Sequence, residues 1–266
     1  MSTPTPDHAL SEEELQRAPL GEHLRELRTR LIRGIAALAV AVIVAWIFHE
    51  VLFDWLMQPY TKAMKAKHPD VPHYIEYRAL TEPLVVYLKT SAIVGALAAT
   101  PYILYEIWKF VVPGLYKQER RMATSFLIAT LLFFTTGVLF CRYFVLGPAV
   151  GMLLSIGATN TSASIMMNEY FGFTSRMLFV FGLLFELPVV ISFLSFLGLI
   201  THRTLLKYWR HAIVVMFIVG AMLTPPDPLT QVLLSLPLSL LYFVSVGVSW
   251  MFTTRREAKQ ARAMEE

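Results

Sequence analysis

The chain has 266 residues, of which 56% are apolar and only 16% are charged. Charged residues make up about a quarter of an ordinary soluble domain, so this composition indicates a membrane protein. The net charge of +4 gives no indication of a nucleic-acid partner, and the single cysteine, Cys141, excludes an intramolecular disulfide framework and a cysteine-based zinc cluster.

The chain begins with a polar, acid-rich segment, residues 1–19, which contains no cleavable signal peptide and is expected to be a mobile leader. In residues 20–33 (LGEHLRELRTRLIR), leucines recur on one helical face and charges surround the other. This pattern predicts an amphipathic helix on the cytoplasmic surface that then turns into the first membrane span. Glu26 lies four residues before Arg30, so the residues alone favour an intrahelical ion pair worth a few tenths of a kcal/mol.

Six apolar segments are candidates to cross about 30 Å of hydrocarbon, although the fifth is short. The sequence therefore predicts an all-α, polytopic protein with a six-helix transmembrane domain over residues 20–252 and a cytoplasmic tail over residues 253–266. The expected spans are residues 31–48, 84–108, 124–145, 170–197, 208–223 and 229–252.

Basic residues decide the expected orientation. They are concentrated in the N-terminal segment, the second and fourth connections and the tail, whereas the third and fifth connections have almost none. The positive-inside rule therefore places both termini in the cytoplasm. The long first connection, residues 49–81, carries charges of both signs together with large apolar residues, so we expect it to pack partly on the membrane surface and to turn at Pro59.

Two short connections carry acids with ordinary structural roles. In the second, Pro113 begins a Pro-Gly turn, and Glu119 is placed to complement the N-terminus of the third helix. In the fifth, Asp227 stands at an N-cap position before Pro228, and capping alone explains it. Gln231 follows one turn later, where its amide is expected to bond a neighbouring helix of this or another chain.

The fourth span contains an unusual acid. Glu186 is the only charged residue between residues 177 and 197, and a carboxylate at that depth costs several kcal/mol unless it is neutral, hydrated or partnered. Two residues later, Pro188 removes a backbone donor and leaves the carbonyl of Leu184 without its helical partner. The middle of this span is therefore predicted to be a polar site.

Sequence motifs for catalysis are absent. The chain contains none of the H-E-x-x-H, G-x-S-x-G, G-x-x-x-x-G-K-[ST] or G-x-G-x-x-G patterns, and its seven histidines lack metal-ligand spacing. We therefore expect no enzymatic activity, no cofactor and no metal site.

Five segments together resemble the TatC family, the core receptor subunits of the twin-arginine protein translocase. They occur in the family's order over residues 23–250, and five motifs in register are far more specific than any one of them. The segments are HLRELRTRLI, EPLVVYLK, PYILYEIWKFVVPGLYKQERR, FGLLFELP and AMLTPPDPLTQ.

The resemblance implies a glove-shaped, concave six-helix bundle in the bacterial cytoplasmic membrane. Such a protein binds twin-arginine signal peptides of folded precursors and recruits single-span TatA/TatB-type subunits into an oligomeric complex driven by the proton-motive force. By the same resemblance, Glu26 and Glu119 read the two arginines, and Arg28 and Phe110 belong to the signal-peptide site. Carboxylates suit this role because they pair bidentately with guanidinium groups.

Other matched positions carry docking or structural roles. The resemblance assigns Glu186, Gln231 and Asp227 to the concave face and partner docking, and the structural prolines are Pro59, Pro101, Pro113 and Pro188. Glu106 departs from the pattern, because a glutamine is expected in many relatives. This acid could pair with Lys109 at i,i+3 or add to the receptor's negative charge, and the sequence leaves both possibilities open.

Two alternatives compete with a translocase receptor. A proton-coupled small-molecule carrier with Glu186 as the relay would account for the buried carboxylate and the proline break. The chain lacks the inverted repeat, the second facing acid and the paired broken helices expected of such a carrier. A purely structural scaffold leaves the energetic cost of Glu186 unexplained.

Overall fold

The structure is a computed structural model, and its described residues are 12–67, 75–111, 120–156, 166–223 and 228–265. The described part of the chain is almost entirely helical and contains no strand; one isolated bridge joins Glu76 to Met166. The helices are α1 (Glu12–Ile47), α2 (His49–Lys67), α3 (Glu82–Val111), α4 (Arg120–Phe140), α5 (Leu146–Ile156), α6 (Met167–Leu184), α7 (Leu187–Phe196), α8 (His202–Lys207), α9 (Trp209–Leu223) and α10 (Pro228–Glu265).

Among the described residues, five helical stretches are long and apolar enough to cross a membrane, and they coincide with five of the predicted spans. The remaining predicted span, the fifth in chain order, is helix α9, whose 15 residues extend only about 22 Å. This is less than the thickness of the hydrocarbon core, as the sequence indicated. The five long stretches are Leu24–Ile47, Glu82–Phe110, Thr124–Ser155, Met167–Phe196 and Pro228–Thr254.

The two ends of the chain are more helical than predicted. Helix α1 begins at Glu12, inside the expected leader, and continues into the first span without the expected turn. Helix α10 likewise runs through the expected tail to Glu265. The prediction of a separate surface helix before the first span was wrong, because no proline or glycine interrupts residues 22–33 at the point where the chain enters the span.

The first connection also differs from its prediction, because it forms helix α2. Pro59 lies inside this helix instead of forming a turn. Leu56, Tyr60 and Met64 recur every four residues and are fully buried, so this face packs into the core against α5 instead of lying on the membrane surface.

Helix α2 accommodates its proline through a side chain from the third span. Pro59 has no N–H to donate to the carbonyl of Trp55, four residues earlier. The Nη2 atom of Arg142 donates to that carbonyl instead. Arg142 lies in a π-helical turn, Cys141–Val145, which joins α4 to α5.

The fourth span is broken at the predicted place. Helix α6 ends at Leu184 and α7 starts at Leu187, with Glu186 at the N-cap position and Pro188 in the first turn. The backbone tightens locally, because Glu186 N donates to Leu183 O at 3.1 Å. The break therefore separates two helices that together form one span.

The core lies between α2, the two halves of the third span, α6 and α10. Its fully buried side chains include Tyr60, Met177, Phe181 and Leu234. Helix α1 lies outside this core and packs mainly along α3. The middle of α1, around Arg30, and the end of α3 therefore meet at the edge of the bundle.

Candidate functional site

An ion-pair cluster joins α1 to α3 at the edge of the bundle. Arg30 of α1 donates from Nε and Nη2 to Glu26 Oε1, at 3.1 and 2.5 Å, and from Nη1 to Glu106 Oε2 at 3.1 Å. The intrahelical pair that the sequence favoured is therefore present. The same guanidinium also bridges to a second carboxylate, 76 residues further along the chain.

Glu106 is the buried member of this cluster, with only 4% of its surface exposed. Tyr102 donates to its Oε1 at 3.0 Å, so both carboxylate oxygens have partners. The expected i,i+3 partner, Lys109, lies instead over the ring of Tyr105, 4.3 Å from its centroid. The cation that is hydrogen-bonded to Glu106 is thus Arg30, from another helix, and not Lys109.

The charges of the cluster do not cancel. Two carboxylates share one guanidinium, which leaves a net charge of about −1 when all three groups are ionised. Glu106 is enclosed, whereas a third of the Glu26 side chain is accessible to solvent. The accessible negative charge is therefore carried by Glu26.

A cavity of about 370 Å³ lies beside this cluster. Arg30 and Glu106 line it, together with apolar side chains of α1 and α3, among them Leu27, Leu31 and Phe110. The cavity is thus an apolar recess next to an ion pair. Its composition suits an extended segment that carries both a cationic and an apolar side chain.

Among the other residues predicted for signal-peptide binding, Arg28 and Phe110 have a described position and Glu119 does not. Arg28 is exposed on α1, two residues before Arg30, and the ion pairs between described residues do not include it. Glu119 and Pro113 lie outside the described residues. The structure brings Glu26 and Phe110 to the same end of the α1–α3 pair, and it gives no position for Glu119 relative to them.

Glu186 is enclosed within the bundle. It is 6% exposed, and the Thr130 hydroxyl and the Phe134 backbone of α4 face its carboxyl group. Its Oε1 atom is buried and has no hydrogen-bond partner among the described residues. The carboxyl group of Glu186 thus faces α4.

Thr130 extends this polar position to a third helix. Trp108 Nε1 of α3 donates to Thr130 Oγ1 at 2.9 Å. A line of polar groups thus leads from α3 through α4 to the break between α6 and α7. Sequence reasoning missed Thr130 and Trp108; the available signals were a hydroxyl inside an apolar span and an indole at the end of the preceding one.

Gln231 bonds within the chain. Its Nε2 donates to Phe217 O of α9 at 3.1 Å, which ties α10 to the short helix. Pro228 is the first residue of α10, as predicted, whereas Asp227 lies outside the described residues. Pro101 lies inside α3, where Thr100 donates to Ala96 O at 2.8 Å, one residue before the carbonyl that Pro101 leaves free.

The described residues contain no group of three or more His, Cys, Asp or Glu that could hold a metal ion.

Comparison with known families assigns the chain. The profile of the family described as Sec-independent protein translocase protein (TatC) matches residues 22–237. The chain belongs to the TatC family. It is therefore a component of the Sec-independent protein translocase, a multi-pass membrane protein and not an enzyme. The small-molecule carrier alternative receives no support.

Relatives and solved structures agree with this assignment. TatC of Desulforapulum autotrophicum is 36% identical over 256 residues, which cover 96% of this chain and 93% of that protein. TatC of Aquifex aeolicus is 36% identical over 244 residues, which cover 91% and 99%. A crystal structure of the twin-arginine translocase receptor TatC matches with a TM-score of 0.75 at 35% identity, covering 87% of this chain and 99% of that one. The predicted all-α, six-helix TatC fold is confirmed.

Proposed function

We propose that this TatC-family protein is the receptor for twin-arginine signal peptides and that Glu26 and Glu119 accept the two arginines. The supporting observation is the Arg30 guanidinium, which Glu26 and Glu106 already hold from two helices with three hydrogen bonds. The end of the α1–α3 pair is thus built to hold a guanidinium group. A peptide arginine presents the same planar fork of donors.

Exposure decides which acid of the cluster meets the peptide. Glu106 is covered and bonded on both oxygens, whereas the Glu26 carboxylate is partly open. An incoming arginine would therefore engage Glu26, and the family resemblance supplies Glu119 for the second arginine. Arg28 and Phe110 complete the proposed site, with Phe110 lining the apolar recess for a neighbouring side chain of the peptide.

The distribution of charge supports a cytoplasmic position for this site. Arg25, Arg28 and Arg33 lie within five residues of Arg30 on α1, and Lys109 lies three residues after Glu106 on α3. The positive-inside rule assigns such an end to the cytoplasm. We propose that both termini are cytoplasmic and that the protein resides in the bacterial cytoplasmic membrane. Precursors would then reach Glu26 before crossing the membrane, in transport driven by the proton-motive force.

Partner recruitment is proposed at the other polar positions. Single-span TatA/TatB-type subunits would dock near Glu186, Gln231 and Asp227 and assemble with this chain into an oligomeric complex. Helix α9 supports this, because it is too short to cross the hydrocarbon alone and exposes apolar residues such as Val215 and Met222. The buried Oε1 of Glu186 could also accept a hydrogen bond from a partner helix.

Charge reversal tests the receptor proposal. We expect E26K or E119K to abolish crosslinking of a twin-arginine signal peptide to the protein while membrane insertion is retained. Each lost charge-assisted hydrogen bond lowers the binding free energy of the peptide by about 1.5–3 kcal/mol, and the introduced lysine also repels the peptide arginine. E50K is a matched control, because Glu50 is an exposed acid in the first turn of α2. Peptide crosslinking that is unchanged in both E26K and E119K would refute the assignment.

A further inference from the structure

A second unusual charge occurs in the third span. Arg142 is only 5% exposed and lies in the π-helical turn between α4 and α5. Such turns are rare, and they occur frequently at functional sites. Arg142 is at the α2 end of the bundle, whereas Arg30 and Glu106 are at the opposite end, so it takes no part in the proposed signal-peptide site.

The charge of Arg142 is not neutralised by the groups around it. Its Nη2 atom donates to two neutral acceptors, Trp55 O and Gln58 Oε1, the latter at 3.2 Å. The rings of Trp55 and Tyr143 lie 4.6 and 5.4 Å from its guanidinium carbon. Its Nε atom is buried without a hydrogen-bond partner, and none of the ion pairs among the described residues includes it.

A pocket adjoins this guanidinium. It has a volume of about 270 Å³ and lies between α2 and the third span, lined by Gln58, Pro59, Lys62, Ala63, Arg142, Tyr143 and Gly147. The lining contains two cations and no carboxylate. Lys62 is exposed at the rim, and a Cβ atom added to Gly147 would meet nothing within 4 Å. The pocket is thus basic, partly open and wide enough for a small anionic group.

The depth of the pocket in the membrane indicates which kind of anionic ligand could reach it. The third span starts at Thr124, and the helix rises about 27 Å from there to Arg142. This is close to the full thickness of the hydrocarbon core, so Arg142 lies near the interface with lipid headgroups. Tyr143 and Phe144 are 62% and 69% exposed beside it, as expected for side chains that contact lipid at that level.

We propose that Arg142 and Lys62 bind the phosphate of an anionic phospholipid at this end of the bundle. The guanidinium of Arg142 lines the pocket and commits only its Nη2 atom to acceptors among the described residues, and Lys62 adds a second positive charge at the rim. Arginine suits this role because its planar fork matches phosphate oxygens. The acyl chains would then follow the exposed surface near Phe144 into the bilayer.

Lipid binding to the purified protein tests the proposal. The full chain is stripped of lipid in detergent and titrated with phosphatidylglycerol or phosphatidylcholine, and bound lipid is counted by native mass spectrometry. We expect one phosphatidylglycerol to bind preferentially and R142Q to weaken this binding by about tenfold, the equivalent of one charged hydrogen bond. Excess inorganic phosphate is added in a parallel titration to separate a lipid site from a free-phosphate site.

Two further variants keep the test independent of folding. R142Q also removes the donor to Trp55 O, whereas K62Q and G147L change only the rim and the volume of the pocket, and both are expected to weaken phosphatidylglycerol binding. K65Q is the matched control, since Lys65 is exposed on the same helix outside the pocket lining. Equal phosphatidylglycerol binding by wild type, K62Q and G147L would overturn the proposal. Complete displacement of the lipid by inorganic phosphate would overturn its lipid part.

Discussion

Removing Arg30 should destabilise the protein more than removing any neighbouring arginine of α1. In R30Q, the buried carboxylate of Glu106 keeps its bond from Tyr102 but loses its hydrogen-bonded cation. Lys109 lies over Tyr105 and compensates only from a distance. Glu106 would therefore remain charged, enclosed and incompletely paired.

The size of the effect follows from exposure. Breaking a fully buried pair by removing one partner costs about 3–5 kcal/mol. Here the Glu106 side chain is 5% exposed but Arg30 is 17% exposed, so water can replace part of the lost interaction. We therefore expect R30Q to lower the free energy of unfolding by about 2–3 kcal/mol.

The double variant distinguishes a pairing effect from a packing effect. E106Q alone should cost little, because the amide oxygen can still accept from Tyr102 or Arg30. R30Q/E106Q should recover about half or more of the stability lost in R30Q, because no buried charge remains.

Unfolding in mixed detergent micelles, followed by tryptophan fluorescence, measures these differences in stability. R28Q is the control, an exposed arginine two residues away, with an expected change within about 0.5 kcal/mol. The reasoning fails if R30Q and R28Q are equal, or if the double variant is no more stable than R30Q.

Two other substitutions probe the helix contacts and the polar position. In G95A, the new Cβ would lie 2.6 Å from the Val42 Cα, so α1 must move away from α3. The free energy of unfolding should therefore fall by about 1–3 kcal/mol. In the control G34A, the new Cβ meets nothing closer than 3.8 Å, so this variant should be neutral or slightly stabilising. Equal thermal stability of the two variants would contradict this contact. E186A should weaken co-purification of single-span partner subunits while sparing signal-peptide crosslinking, and the reverse pattern would place Glu186 in the peptide site.

The sequence predicted the spans well because their signal is local. Five of the six predicted spans are long apolar runs, and the break near Glu186 follows from the missing N–H of Pro188 alone. The structure differed from the prediction where the position of a segment depends on packing against a segment distant in sequence. One face of helix α2 is buried because the third span continues beyond the membrane thickness to Ile156 and gives Leu56 and Tyr60 a surface to pack on. Nothing within residues 49–67 shows how far that span extends.

The ion-pair cluster also contains one contact that the sequence predicted and one that it did not. The i,i+4 spacing of Glu26 and Arg30 was sufficient to predict their pair, since both residues lie on one helix. The bridge to Glu106 depends on the close approach of α1 and α3, which Gly95 permits because a Cβ there would overlap the α1 backbone. A glycine in an apolar span was the available signal, but it does not identify which residue of the partner helix lies opposite.

Two acids are buried among the described residues, Glu106 and Glu186, and they differ in how their carboxyl oxygens are hydrogen-bonded. Both carboxylate oxygens of Glu106 accept hydrogen bonds from within the chain, one from Arg30 and one from Tyr102. Glu186 has the Thr130 hydroxyl beside it, but its Oε1 has no partner among the described residues. A carboxyl group at that depth is costly, and retaining it without a full set of bonds is easier to explain if a group outside the chain completes them. A polar side chain on a partner's single membrane helix would do so, which is why the E186A experiment measures partner recruitment separately from peptide binding.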